Sequence, residues 1–171
     1  MNAVVTEFDR FALTYQETCD LQKEIANDLL SPLQKHYKCV LDLGSGSGAV
    51  CHHFKGNYDA FIGIDASLSM CNLHPKGTNI AVIHGDFDEE KWDQGKIDTS
   101  LVDLITSASS LQWSKDPERL ISRMQHSNAD VAIAVFTSET FKDLHQMVGY
   151  DSFLPRAQRL SEYFTEGVWE I

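Results

Sequence analysis

The sequence predicts an α/β domain in which a mostly parallel central sheet carries helices on both faces. Three observations point to it. Short apolar runs recur along the chain: "CVLDL" (39–43), "AFIGID" (60–65), "IAVIH" (80–84), "LVDLIT" (101–106) and "VAIAVF" (131–136). Segments with helical spacing separate them. The first run passes directly into three glycines, Gly44, Gly46 and Gly48, as a strand does when it turns sharply into a helix.

Each element has its own local reason. Thr14 and Glu17 have capping-box spacing, and Leu21, Ile25 and Leu29 recur every four residues, which predicts a helix over 14–30. Ser31-Pro32 breaks or restarts it. The first strand spans 39–43, and a helix follows the glycines to about Lys55. Ser67 can cap a short helix through Met70 and Leu73 after the second strand. Asp116-Pro117-Glu118 opens another helix, with Leu120, Ile121 and Met124 on its apolar face. Residues 141–148 and 155–164 read as helical, and 167–171 as the start of a sixth strand. The chain divides into a helical leader (1–38), a core (39–137) and a helical closing segment (138–171), all within one domain.

The 171 residues, 43% of them hydrophobic, suit a single globular unit. The formal charge of -11 carries no electrostatic footprint for nucleic acid. The four cysteines, Cys19, Cys39, Cys51 and Cys71, form no C-x-x-C pair and read as reduced, buried thiols. The seven histidines lack metal-site spacing, so no metal is expected. No signal segment and no membrane-length apolar run appears, which predicts a cytoplasmic protein.

In parallel sheets of this kind ligands bind beyond the carboxyl ends of the strands. After the first strand, Gly44-x-Gly46-x-x-Ala49 fits a dinucleotide fingerprint, while Asp42 and Gly48 extend it to the D-x-G-x-G-x-G loop that holds S-adenosylmethionine. After the second strand stands Asp65, 21 residues past Gly44, where a carboxylate accepts from ribose hydroxyls of either cofactor. After the third comes Gly85-Asp86-Phe87. Asp86 can accept from an adenine amino group and Phe87 can cover the ring, which favours the methyl donor over a nicotinamide cofactor. After the fourth comes "SASSLQW" (107–113). Trp113 there is either a ring face for a sulfonium or a core anchor.

"VLDLGSGSG", "GIDAS" followed by Met70, and "GDF" resemble, in this order, the Rossmann-like seven-strand S-adenosylmethionine-dependent methyltransferases. A narrower likeness extends over nearly the whole chain. "FDRFALTYQETCDLQKEIANDLL" (8–30), "SLQW" (110–113), "DLHQMV" (143–148) and "FLP" (153–155) are similar to the malonyl-acyl-carrier-protein O-methyltransferases of biotin synthesis, the BioC family. The resemblance implies methylation of the free carboxylate of a malonyl thioester carried on acyl carrier protein or coenzyme A. It places Asp42, Gly44, Ser45 and Gly46 at the methionine end of S-adenosyl-L-methionine, Ser107 beside them, Asp65 on the ribose, and Met70, Asp86 and Phe87 around adenine. Tyr15 and Gln22 would close over the methionine moiety. Gln112, Trp113 and His145 would face the acyl substrate.

An ionised carboxylate needs no general base, so the expected catalysis is by proximity, alignment and exclusion of water. Tyr15 and Trp113 are the candidates for acting at the transfer itself. Arg156, with Arg123 second, is the candidate cationic seat for the substrate carboxylate. The family fold carries two further strands where this sequence reads "GVWEI" (167–171), so a shortened form with an exposed sheet edge is expected. Dimerisation could cover such an edge. Methylation of another small carboxylic acid, and a non-catalytic module that keeps the fold, are the competing functions.

Overall fold

The computed structural model describes residues 3–54, 57–89 and 98–164. Five strands, β1 (Tyr37–Leu43), β2 (Tyr58–Asp65), β3 (Ile80–His84), β4 (Leu104–Ala108) and β5 (Asp130–Ala134), form one sheet in the order β3-β2-β1-β4-β5. Every neighbouring pair is parallel. The chain winds outward from β1 to β3, then crosses back to β4 and β5. The order therefore reverses between β1 and β4, and their carboxyl ends frame the crevice of a doubly wound sheet.

Alternation along β1 feeds two cores. Leu41 and Leu43 pack with Ile105 of β4 and with Leu120, Ile121 and Met124 of α5 (Pro117–Gln125). Val40 and Leu104 pack on the opposite face with Ala26 and Leu30 of α2 (Asp20–Leu30) and Val50 and Cys51 of α3 (Ala49–His53). Strands buried on both faces are apolar throughout, which is why their runs stand out in the sequence. The four cysteines are buried free thiols. No helix among the described residues is long and apolar enough to cross a membrane.

The leader differs from the helix expected over 14–30. It is two helices, α1 (Ala3–Thr18) and α2, broken at Cys19 (φ −84°, ψ 40°). Thr14 is inside α1 and its carbonyl accepts from the Thr18 hydroxyl at 2.9 Å, so it caps nothing. Ser31-Pro32 does end α2. The helix expected to run to about Lys55 is α3, whose last residue is His53, and Lys55 lies outside the described residues.

The fourth strand is shifted. Residues 99–101 form a 3-10 turn, and Asp103 takes the backbone N–H groups of Lys38 (2.9 Å) and Cys39 (3.0 Å) on its carboxylate. This clamp fixes where β1 starts and delays β4 to Leu104. At the other end Ser109 adopts φ +57° and donates its N–H to Ala134 O (2.8 Å). The bend carries the chain away from the ladder, so β5 ends at Ala134 instead of Phe136.

Ser67 caps α4 (Leu68–Leu73) by accepting from Met70 N–H, and Asp116 caps α5 by accepting from Arg119 N–H, as the sequence suggests. Two helices close the described chain, α6 (Lys142–Val148) and α7 (Ala157–Ser161). The second is shorter than the 155–164 expected, because the Pro155 carbonyl is tied to Ser138 N–H (2.8 Å). The sixth strand expected over 167–171 lies outside the described residues.

Candidate functional site

The site is built around the glycine turn after β1. Gly44 (φ +69°), Gly46 (φ +54°) and Gly48 (φ +93°) are all left-handed, a conformation that other residues adopt at a cost of about 1–2 kcal/mol. Their surroundings differ. A methyl group on Gly44 would overlap the Ser110 side chain, and one on Gly48 would overlap the Pro75 ring. At Gly46 nothing lies within 4 Å of the same position. Gly44 and Gly48 are glycine for packing, whereas Gly46 leaves open space above the loop.

Asp65, at the end of β2, reaches into the loop. Its Oδ2 accepts from Gly46 N–H (2.8 Å) and its Oδ1 from Ser67 N–H (2.8 Å). The carboxylate is thereby fixed, with lone pairs left to accept from a diol. Burial nevertheless raises its pKa above the ordinary carboxylate value. Asp42 is more extreme. It is 1% exposed, Oδ1 accepts from the Thr106 hydroxyl (2.9 Å), and Oδ2 is buried without a partner. Burial pushes its pKa up to about 7, with the Asp65 charge adding to the rise. A buried carboxylate with an orphaned oxygen is a seat for a cationic group.

Against the loop lies one residue the sequence does not single out, His74, next to Ser45, which the resemblance places at the cofactor. Ser45 Oγ and His74 Nε2 are buried and unpartnered, and a methyl group on Gly63 of β2 would lie 2.7 and 3.1 Å from them. Burial lowers the His74 pKa. Ser107, expected at the cofactor, is fully buried. Its hydroxyl donates to Leu43 O (2.8 Å) and meets Ser110 Oγ (2.6 Å), so it braces the ends of β1 and β4 against each other.

Of the residues expected around adenine, Met70 is buried in α4. Phe87 is buried with its ring edge 3.3 Å from the methyl position of Gly44. Asp86 accepts from Asp88 N–H (2.9 Å) and lies 3.4 Å from Lys115 Nζ.

Four aromatic rings close the other side. Tyr15 and Phe8 of α1 meet edge-to-face at 5.7 Å, Phe8 meets Trp113 at 6.3 Å, and Trp113 stacks on Phe153 at 5.9 Å. The stack joins the leader, the 3-10 turn after β4 (Leu111–Trp113) and the segment before α7. Burial and the nearby Cys19 and Asp65 raise the Tyr15 phenol to about 12. Gln112 is buried. Its Nε2 donates to Ser109 O (2.8 Å), which fixes the amide orientation and leaves Oε1 as an orphaned acceptor.

His145 and Arg156 do not join the stack. His145 pairs with Tyr150 in its own segment (5.8 Å), and Arg156 is exposed at the start of α7. Gln22 is half-buried on α2, and Arg123 belongs to α5. Among the described residues, no group of three or more metal-ligating side chains is assembled.

The sequence does not single out Phe8 or Asp9, which the structure brings to this side. Phe8, Ala12 and Tyr15 follow the i, i+4, i+7 pattern of one helix face, a signal present in the sequence.

A methyltransferase-domain family model matches residues 14–167. The chain is 24% identical over 151 residues to a malonyl-[acyl-carrier protein] O-methyltransferase of Bacillus anthracis, covering 81% of this chain and 54% of that protein. It is 27% identical over 171 residues to the Calditerrivibrio nitroreducens protein of the same name, covering 92% and 65%. The chain thus spans about half to two thirds of the length of these relatives. Among solved structures, a chain from the complex of the Haloferax volcanii Trm112 methyltransferase activator with a methyltransferase is similar with a TM-score of 0.72 at 19% identity, covering 92% of this chain and 74% of that one. The plantazolicin methyltransferase BpumL, solved with S-adenosylhomocysteine, gives 0.65 at 13% identity, covering 94% and 76%. At these identities the likeness establishes the fold.

Proposed function

The chain belongs to the methyltransferase domain family, and from that premise we propose that it uses S-adenosyl-L-methionine to methylate the free carboxylate of a malonyl thioester. The observation that carries the cofactor reading is the open space over Gly46, whose N–H Asp65 holds, together with the orphaned oxygen of the buried Asp42. These residues fit the cofactor. Asp65 would accept from the ribose hydroxyls, Asp42 would hold the methionine ammonium, and Gly44, Ser45 and Gly46 would line that end. Met70, Asp86 and Phe87 would surround adenine, while Tyr15 and Gln22 close from the leader.

When bound, the cofactor supplies an electrophilic methyl group on a sulfonium. The chain's own part is positioning and exclusion of water. Phe8, Trp113 and Phe153 wall the mouth with apolar surface. A carboxylate acceptor is ionised at neutral pH and needs no base.

Two observations support the acyl thioester. The chain is 24–27% identical to malonyl-acyl-carrier-protein methyltransferases. The free group on Gln112 is also an acceptor, Oε1, which suits an amide N–H of a thioester-bearing arm. Acyl carrier protein and coenzyme A present the same arm, so either fits as carrier. Arg156 and His145 would complete the acceptor end when the closing segment folds onto it. A homodimer through the outer edge of β5, unpaired among the described residues, is part of the same reading.

The test is transfer of a labelled methyl group from S-adenosyl-L-methionine to malonyl-coenzyme A and to malonyl-acyl carrier protein. A methyl ester on either supports the proposal. Binding of S-adenosylhomocysteine with no transfer to either substrate overturns the acceptor assignment and leaves a different acid or a binding module.

A further inference from the structure

We propose that Asp9 is the positioning residue that holds the leader helix against the ribose side of the cofactor site, and that cofactor retention depends on it. The inference rests on the cofactor reading above.

Asp9 lies on α1, one residue from Phe8 of the aromatic stack. Its Oδ1 accepts from the Ser67 hydroxyl at 2.6 Å and from Ser69 N–H at 3.0 Å. Ser67 is 1% exposed and has three roles at once. Its hydroxyl oxygen accepts from Met70 N–H (3.1 Å), its hydroxyl proton goes to Asp9, and its backbone N–H donates to Asp65 Oδ1 (2.8 Å). Asp65 Oδ2 then takes Gly46 N–H (2.8 Å). An unbroken hydrogen-bonded path therefore runs from the glycine loop through Asp65 and Ser67 to the leader helix.

The hold matters because α1 has little apolar grip. Within it, Ala12 alone is buried among the described side chains, while Phe11 and Leu13 are exposed. Charge-assisted hydrogen bonds are about twice as strong as neutral ones, so two of them on one carboxylate are a large share of the contact. They set where Phe8 and Tyr15 stand. Bonds from Ser67 and Ser69 hold the Asp9 carboxyl below its ordinary pKa, which keeps it ionised.

The experiment is calorimetric titration of the full chain with S-adenosylhomocysteine, in wild type, Asp9→Ala and Asp9→Asn, with amide hydrogen exchange on the free chains. Asp9→Ala is expected to weaken binding about tenfold or more at unchanged stoichiometry. Exchange should rise over residues 3–18 and stay unchanged in β1. Asp9→Asn keeps an acceptor oxygen without the charge and should recover part of the affinity. Unchanged affinity in Asp9→Ala overturns the proposal, as does a fall in stoichiometry at constant affinity, which marks a merely structural role. Wild-type chain that fails to bind S-adenosylhomocysteine overturns the cofactor reading and this proposal with it. Wild-type binding matched by Asp9→Ala overturns this proposal alone.

Discussion

The end of β1 and the segment after β5 are built on opposite terms. Around Gly44 the backbone is locked by left-handed glycines, a brace of Ser107 and Ser110 on Leu43 O, and the Asp65 carboxylate on Gly46 N–H. From Phe141 to Phe153 the chain exposes six large apolar side chains, Met147 at 85%, and α6 buries none of its residues. The first region holds its backbone by its own contacts and leaves only side-chain atoms, such as Asp42 Oδ2, without partners. The second holds apolar surface of the kind that marks binding faces. On this account the fold fixes the cofactor end in advance, and recognition of the acceptor is left to a loosely tied segment.

Breaking the locked region should give the largest effect. Gly44→Ala combines a left-handed alanine with overlap on Ser110, and is expected to cost about 2–4 kcal/mol and lower the melting temperature by roughly 5–15 °C. Asp65→Ala comes next. It removes the partner of two backbone N–H groups and of the proposed ribose contact, and titration should show affinity for S-adenosylhomocysteine falling about 100-fold. Gly46→Ala sharpens the comparison between loop glycines. Its methyl meets no neighbour, so stability should drop by only about 1–2 kcal/mol. Ligand affinity should fall about tenfold or more, because the methyl occupies the ligand's space.

Another effect, readable without mutation, comes with pH. The Asp42 carboxyl titrates near 7 in the folded chain against an ordinary value near 4. Between those limits the folded state holds a proton that the unfolded chain has lost. Stability of the free chain should therefore fall as pH rises from about 4 to about 7 and level off above it. Affinity for a ligand ammonium should strengthen over the same range. Melting temperature against pH checks this, and Asp42→Asn should flatten most of the slope. Least affected is the exposed segment, where Met147→Ser should change stability by no more than about 0.5 kcal/mol.

What could be read in the sequence follows the same division. Doubly buried strands and a glycine turn leave strong local signals, so β1, β2, β3, the loop and Asp65 were legible. The start of β4 was not, because Asp103 is a long-range clamp on residues 64 and 65 positions away. His74 and Ser45 are brought together beneath the loop by tertiary packing, through space that Gly63 leaves free. The start of the leader helix at Ala3 is masked by the polar pair Thr14 and Glu17, a stronger local signal than the Phe8-Ala12-Tyr15 face. Asp9 leaves no local signal, since its partner lies 58 residues away. His145 rests on the resemblance and Arg156 on the need of a carboxylate substrate for a cation, and their segment's few ties explain why the structure leaves them outside the aromatic stack.

The most direct measurement is calorimetric titration of the purified chain with S-adenosylhomocysteine and, separately, with NADH. A cofactor site at Gly46, Asp42 and Asp65 requires one-to-one binding of the first and none of the second, with the first lost in Asp65→Ala. Binding of NADH alone, or of neither ligand, would contradict it.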